Sequence, residues 1–384
     1  MHHFYRDLKL GVLGGGQLGR MLIQAAMDFN LSVYCLDPAA DAPCAGFAHG
    51  FTQGSLTNFD DVYQFGKDKD VVTIEIEHVN TEALEALQAE GVRVYPDPKH
   101  IRMIQDKRRQ KAFFTENELP TSPFVLVENR EEVLNHRDMV PMVMKLAEAG
   151  YDGRGVQVLK TESDLEQAFD APGLLESFVN LDKEVAVIVA RNAEGEVKTF
   201  PMVEMAFHPV HNLVEFLLAP AEVEESIQAK GAEMAVQLVE SMGYVGLMAI
   251  EMFLTPSGEL LINELAPRPH NSGHHTIRAN ATSQYEQHVR AILGLPLGAT
   301  DTLVPSAMVN LLGADGSEGQ ATYVGIQEAL AIPGVYPHIY GKSNTKPFRK
   351  MGHVTVLDTD VEALKAKARK VKDLIRVEGE TPKS

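Results

Sequence analysis

Cysteine is nearly absent from this sequence. Only Cys35 and Cys44 occur in 384 residues, too few for a disulfide framework and not spaced as CxxC, which fits a reducing compartment. Basic charge is in deficit as well. The 35 Lys and Arg face 53 Asp and Glu, a formal charge of −18 with a pI near 5.2, the wrong sign for gripping a phosphate backbone by counterion release. Nucleic acid is not an expected partner. A small anionic substrate is compatible with that field where local Lys, Arg and a divalent cation outweigh it. No apolar run reaches the roughly 18 residues of a membrane helix, and the opening stretch has neither an uninterrupted apolar core nor a small-residue cleavage site. Secretion and membrane insertion are disfavoured, and a cytoplasmic protein is expected. Internal repeats and low-complexity tracts are also missing.

What is present is a globular composition, 45% hydrophobic and 23% charged, in a chain long enough for two or three domains at about 150 residues each. An apolar strand over 8–13 leads through GGGQLGRM into a helix at 21–29 and a second strand ending at Asp37, a βαβ opening. Another strand, VVTIEIEHV from Val71, precedes the helical TEALEALQAEG, whose Gly91 suits a helix stop. The first domain is expected to close near residue 100. One helix is expected over 100–117, after which ELPTSPF reads as a linker. Then come PMVMKL, the loop EAGYDGRG, VQVLK, a helix ESDLEQAFD and the strands GLLESFV and KEVAVIVAR, a small α+β module. A helix over 221–243 precedes YVGLMAIEMFL and GELLINELAP, joined at Thr255-Pro256-Ser257-Gly258, the pattern of a long antiparallel hairpin. The chain after Pro296 carries more strands and a basic helix between Lys365 and Arg376, which acids interrupt and which reads as a solvated face.

Several motifs carry chemistry. Gly14, Gly16 and Gly19 form GxGxxG directly after a strand, with Asp37 about 20 residues on, as at a dinucleotide site. Glycines and a helix N-terminus serve a sugar monophosphate equally well, and a structural tight turn has the same pattern. Glu251 and Glu264 face each other if the turn centres on Ser257-Gly258, with β-carbons about 5 Å apart. Among apolar neighbours such carboxylates repel unless a hard divalent cation bridges them. Magnesium carrying nucleotide phosphates is the economical reading, since a solvated face would also display Phe253 and Ile262.

The loop EAGYDGRG follows Lys145; it suits a mobile phosphate cover with Lys145 as a point charge, or an ordinary surface hairpin. Glu176 and Glu184 nearby favour the nucleotide reading. In ELAPRPHNSGHHT, Arg268 can hold a small planar oxyanion by its fork of donors, and Asn271 and Ser272 can add neutral ones. His270 would move protons or donate a hydrogen bond. Zinc is weakly supported, because these histidines stand outside an evident helix and no cysteine joins them. Glu75 and Glu77 share a face near the carboxyl end of a strand, a ribose-hydroxyl position. Lys342, Lys346, Arg349 and Lys350 concentrate positive charge, suited to a substrate phosphate or to a solvated loop.

Taken together, GVLGGGQLGRML, TIEIEHV, AGYDGRG, GYVGLMAIEMF, LLINELAPRPHNSGHHT and RKMGH resemble the ATP-grasp superfamily, and within it the N5-carboxyaminoimidazole ribonucleotide synthetases of purine biosynthesis. The resemblance covers nearly the whole chain; GYDGRG with NELAPRPHNSGHHT is its most specific part. It implies a mixed α/β and α+β chain with the three-domain ATP-grasp fold. A Rossmann-like pre-ATP-grasp βαβ domain would span 1–100, a small lid domain with its linker helix 101–190, and a central domain with the metal hairpin 191–296. A substrate-contacting segment over 297–384 would pack on the central domain.

Carried over by position, Arg102, Lys145, Glu176, Val179, Glu184, Asn263 and Glu264 would contact ATP, beneath a lid of Gly150, Tyr151, Asp152, Gly153, Arg154 and Gly155. Glu251 and Glu264 would be the metal ligands. Gly16, Gln17, Leu18, Glu75, Tyr151, Asp152, Arg154, Lys342 and Arg349 would face the aminoimidazole ribonucleotide. Arg268, His270 and Asn271 would hold bicarbonate or carboxyphosphate, completing with Lys145 the catalytic set. The chain departs from the family pattern at Leu146-Ala147-Glu148-Ala149, where a basic residue and a further glycine are usual, at Val156, where glutamine is common, and in EMAFHPVHNLV, which leaves His208 and His211 unassigned.

The implied activity is that of an ATP-dependent carbon–nitrogen ligase. ATP and bicarbonate would give carboxyphosphate, and 5-aminoimidazole ribonucleotide would take the carboxyl group, leaving N5-carboxyaminoimidazole ribonucleotide, ADP and phosphate. ATP is the co-substrate, Mg²⁺ or Mn²⁺ the expected metal, and a homodimer the expected assembly. The alternatives are an ATP-grasp ligase using formate or another carboxylate with a ribonucleotide acceptor, an NAD-linked oxidoreductase, and a non-catalytic ATP sensor.

Overall fold

A computed structural model of the chain describes residues 7–148, 155–207 and 214–380. Strand Lys9–Leu13 is buried beyond Lys9 and pairs in parallel with Ser32–Asp37 on one side and Val71–Ile74 on the other. Gly50–Gln53 and Arg93–Val94 extend the two edges into a five-stranded parallel sheet. Parallel neighbours need crossovers, and helix Gln17–Met27 supplies the first, burying Met21, Leu22, Ile23 and Ala26. Strand order reverses about Lys9–Leu13, so a crevice opens at the carboxyl ends of the central strands. The ladder stops at the pair Leu13 and Ile74. Glu75 and Glu77 therefore lie on the bend beyond the strand, and the shared strand face expected of them does not exist.

The helix expected over 100–117 is two helices, Pro98–Gln105 and Lys107–Glu116, broken at the extended Asp106. The Asp106 carboxylate accepts the Arg108 N–H at 2.9 Å, an N-cap that starts the second helix. Lys107 and Lys111, four residues apart, share one face of it. ELPTSPF is not a loose linker either: Pro120 O accepts Ile262 N–H at 2.8 Å and Thr121 Oγ1 donates to Ile262 O at 2.7 Å.

Strands Phe124–Val127, Gly173–Ser177, Met142–Leu146 and Val156–Leu159 form an antiparallel sheet. ESDLEQAFD, expected as an α-helix, contains only the short 3-10 helix Glu162–Gln167. The largest sheet has nine strands among the described residues; Gly246–Leu254 lies between Lys183–Arg191 and the edge strand Leu260–Ala266. Ser306–Leu312, Lys350–Leu357 and Val335–Ile339 continue that same sheet, so the C-terminal segment is hydrogen-bonded into the central one.

Helix Glu225–Met242 covers one face, packing Met234, Ala235, Leu238 and Val239 against Val187, Val189, Met248, Ile250 and Met252. Each large apolar side chain so buried contributes about 1.5–3 kcal/mol. Because side chains alternate along a strand, the inward Ile250 and Met252 turn Glu251 to the opposite face. Close backbone packing sets Lys145 against the neighbouring strand Gly173–Ser177: a β-carbon on Gly173 would lie 2.4 Å from the Lys145 carbonyl oxygen. Gly173→Ala should cost about 1–3 kcal/mol, seen as a lower urea midpoint; an unchanged midpoint would contradict this packing.

Candidate active site

From the turn inward, Leu254 pairs with Leu260, Phe253 with Leu261 and Met252 with Ile262. Continued unbroken, that register would set Glu251 opposite Asn263. The register shifts between Met252 and Glu251, so Glu251 pairs with Glu264 and Ile250 with Leu265. The facing carboxylates are thus the product of a bulge with Asn263 as the extra residue. Asn263 is used at once, its Oδ1 accepting Lys145 Nζ at 2.7 Å.

On the neighbouring strand Ala186 lies opposite Glu251 and Glu184 opposite Phe253, so Glu184 and Glu251 share a face. Burial first, and then the charges of Glu264 and Glu184, push the Glu251 carboxyl up to about 8. Burial also pushes Glu184 up to about 7, against the pull of Lys145. Basic side chains stand around the group. Lys107 Nζ is 2.7 Å from Glu264 Oε1, His270 Nε2 is 3.6 Å from Glu251 Oε1, and the Lys350 charge favours ionised Glu251.

Beside them lies a buried triad, Glu176 between Lys111 at 2.8 Å and Lys145 at 2.9 Å. Burial alone would raise the Glu176 carboxyl, but Lys145 and Lys111 outweigh it and hold it below the usual value. Burial, with Lys145 and Lys107 adding to it, brings Lys111 down to about 8 against Glu176.

No group of three or more His, Cys, Asp or Glu able to hold an ion is gathered among the described residues. Two carboxylates leave the remaining positions to phosphate oxygens and water, as Mg²⁺ prefers beside nucleotides. The facing pair Glu251 and Glu264 offers the hard oxygen donors that such a cation takes, so the two residues fit a divalent cation.

The acceptor side is built on the glycine loop. Gly15 N–H donates to Asp37 Oδ2 at 2.7 Å, and the N–H groups of Gly16 and Gly19 both donate to the Glu75 carboxylate. Gln17 and Leu18 open the helix just there. Burial raises the Glu75 carboxyl against those two amides, with Asp37 adding to the rise. A dinucleotide pyrophosphate would have to displace these carboxylates. Arg268 gives its fork to Glu77, Nε at 2.5 Å and Nη2 at 3.1 Å. His270 Nδ1 is 2.9 Å from Ser272 Oγ, and Asn271 and Asn310 exchange side-chain amide hydrogen bonds at 2.9 and 3.2 Å. His274 is buried among Tyr285, Tyr340 and His353, and burial holds it well below the usual histidine value; it is core.

Residues 112–285 match the ATP-grasp domain, residues 8–105 the ribonucleotide synthetase preATP-grasp domain and residues 306–367 the phosphoribosylaminoimidazole carboxylase C-terminal domain. The chain is 37% identical over 360 residues to the N5-carboxyaminoimidazole ribonucleotide synthase of Bacillus subtilis, covering 92% of each. The chain belongs to the N5-carboxyaminoimidazole ribonucleotide synthetase family. The solved family member from Thermotoga maritima superposes with a TM-score of 0.90 at 42% identity, covering 97% of this chain and all of that one. A second, from Aspergillus clavatus in complex with ADP and 5-aminoimidazole ribonucleotide, gives 0.88 at 32%, covering 96% and 99%. The chain spans about two thirds of the length of longer relatives, phosphoribosylaminoimidazole carboxylases of plants and fungi.

Not every residue carried over from the family resemblance joins the carboxylate cluster. Arg102 instead meets Glu85 at 2.9 Å and Thr81; Lys107 is the cation that reaches Glu264. Lys342 Nζ donates to Lys350 O at 2.7 Å and Arg349 Nη1 to Asn344 O at 2.5 Å, so both brace their own loop. Val179 is half-buried in the connection between strands Gly173–Ser177 and Lys183–Arg191. Of the lid, Gly155 is described, with φ 75 and its carbonyl accepting Leu146 N–H at 2.9 Å. Gly150, Tyr151, Asp152, Gly153 and Arg154, like His208 and His211, lie outside the described residues. Lys107, Lys111 and Lys350 carry site charge that the residue-by-residue assignment missed. An Asp capping a helix in mid-run, ahead of lysines at i and i+4, was the available signal for the first two.

Between the ordinary carboxyl value and about 8, folded Glu251 keeps a proton that the unfolded chain has released, so the metal-free chain loses stability as pH rises through that window. Glu251→Gln should flatten the fall in urea midpoint from about pH 5 to about pH 8. A slope as steep as in the wild type would assign the titration to another group.

Proposed function

We propose that the chain carboxylates 5-aminoimidazole ribonucleotide with ATP and bicarbonate, giving N5-carboxyaminoimidazole ribonucleotide, ADP and phosphate. The observation that carries this is the facing pair Glu251 and Glu264, with Lys107 against Glu264, the Lys350 charge favouring ionised Glu251 and Lys145 on the bulged Asn263 beside them, in a chain whose relative binds ADP and the ribonucleotide together. Mg²⁺, or Mn²⁺ in its place, would be held by Glu251 and Glu264 and would supply charge neutralisation to the triphosphate. Lys107 and Lys145 add fixed positive charge on the same side, and Glu176, Val179, Glu184 and Asn263 line the nucleotide position; residues 150–155 take the lid role that the family resemblance implies. Such preorganised charge is the main help phosphoryl transfer needs.

Arg268, His270 and Asn271 hold the bicarbonate. One of its oxygens attacks the γ-phosphorus as the bond to ADP breaks, giving carboxyphosphate. Gly16, Gln17, Leu18 and Glu75, with Lys342 and Arg349 on the phosphate side, orient the ribonucleotide. Its exocyclic amine attacks the carboxyl carbon, directly or after release as carbon dioxide, phosphate departs, and the amine gives up a proton. Exclusion of water keeps the activated carboxyl group from hydrolysis. The same reading has the chain act as a homodimer in the cytoplasm. No helix among the described residues is long and apolar enough to cross a membrane.

ADP formation should require ATP, Mg²⁺, bicarbonate and the aminoimidazole ribonucleotide together, tested by leaving each out in turn. Equal ADP without the ribonucleotide would remove the acceptor, and a rate supported by formate in place of bicarbonate would move the chain to the formate-using ligases. Glu264→Gln should lower kcat by about a hundredfold or more with the fold intact by circular dichroism. Undiminished turnover would remove the metal assignment.

A further inference from the structure

Glu77 and Arg268 meet across 191 positions of sequence. Glu77 stands on the bend that follows strand Val71–Ile74, and its backbone is pinned. Gln105 Nε2 donates to Glu77 O at 2.8 Å and to Val79 O at 3.0 Å, and Val79 N–H donates to Glu77 O at 3.0 Å. Arg268 follows strand Leu260–Ala266, which carries Glu264, and its side chain is only 16% exposed. Its Nε and Nη2 both donate to the Glu77 carboxylate, and Nη1 donates to Pro269 O at 3.2 Å. Burial opposes ionisation of Glu77, but the Arg268 charge and hydrogen bonds outweigh it. A planar oxyanion thus already lies along one edge of the guanidinium, and it belongs to the protein.

We propose that Glu77 is a positioning residue for the carboxylation. It fixes the Arg268 guanidinium in orientation before substrate arrives, by a two-bond, charge-assisted contact, and ties the acceptor domain to the place where the activated carboxyl group is handled. Two residues earlier on the same bend, Glu75 holds the amides of the glycine loop, so one short segment positions both the acceptor loop and the arginine. The inference rests on the reaction proposed above. An arginine freed of Glu77 would sample other rotamers, and carboxyphosphate held loosely is lost to water before the amine reaches it.

The test compares ADP with carboxylated product, which the wild type should form one for one. Glu77→Gln keeps the shape of the side chain and removes its charge. It should lower kcat about tenfold to a hundredfold and make ADP exceed product, while the KM for ATP changes by less than about twofold because the nucleotide residues lie elsewhere. Glu77→Asp, which restores the charge, should recover part of the coupling. Wild-type kcat and stoichiometry in Glu77→Gln would overturn the proposal. So would a variant with poorer ATP binding and a lower melting temperature but intact stoichiometry, the mark of a merely structural role. Should Glu77→Gln fail to fold, Glu77→Asp decides on kcat and stoichiometry. A wild-type chain that forms no ADP with these substrates overturns the proposed reaction itself, and this inference with it.

Discussion

Two glutamates face each other across a bulged ladder in an apolar sheet, and the charges around them are arranged in answer to their repulsion. At about 5 Å and an effective dielectric of about 20, two ionised carboxylates repel by about 3 kcal/mol. That is a large part of the 5–15 kcal/mol or so by which a typical domain is stable. The fold meets it in two ways. Glu251 holds a proton up to about 8, and Lys107 is placed against Glu264. Both are partial answers that a divalent cation with its phosphates would complete.

The bulge that makes the pair also connects it to its surroundings. Asn263, the extra residue, receives Lys145; Lys145 meets Glu176; Glu176 meets Lys111. Charges of alternating sign run from the hairpin into the four-stranded sheet and on to the helix that begins after Asp106. Removing one member would leave a buried partner unpaired, a loss of about 3–5 kcal/mol for a buried ion pair. The members come from three places: the helix Lys107–Glu116, the four-stranded sheet whose strands bear Lys145 and Glu176, and the nine-stranded sheet that carries Glu251, Asn263 and Glu264. The site therefore exists only where these units meet.

How much of this could be read from sequence follows from how local each determinant is. The βαβ opening and the long hairpin are set by periodicity and turn residues within a few positions, and both were legible. The Glu251–Glu264 pair was legible too, though for an incomplete reason. Symmetry about Ser257-Gly258 gives the right partners, whereas the ladder next to the turn centres on Ser257 itself and the bulge restores the pairing. What escaped was decided by contacts distant in sequence or by a single cap. Asp106 splits a helix whose composition is helical throughout, and that break aims Lys107 at Glu264, 157 residues away. Arg268 looked like an open fork because nothing near it in sequence shows that Glu77 already occupies it.

The glycine loop shows the same limit from the other direction. GxGxxG after a strand encodes close backbone approach and a helix N-terminus that attracts an anion; it does not encode which anion. Here the anions are Asp37 and Glu75, and the amides of Gly15, Gly16 and Gly19 are spent on them. A β-carbon on Gly16 would fall 2.6 Å from Glu75 Oε1, so that glycine is required by the protein's own carboxylate. The fingerprint is thus satisfied from within the chain. A ligand at this crevice must meet a loop already organised by carboxylates, which suits hydroxyl and amine donors better than a pyrophosphate, and an aminoimidazole ribonucleotide offers both kinds of donor.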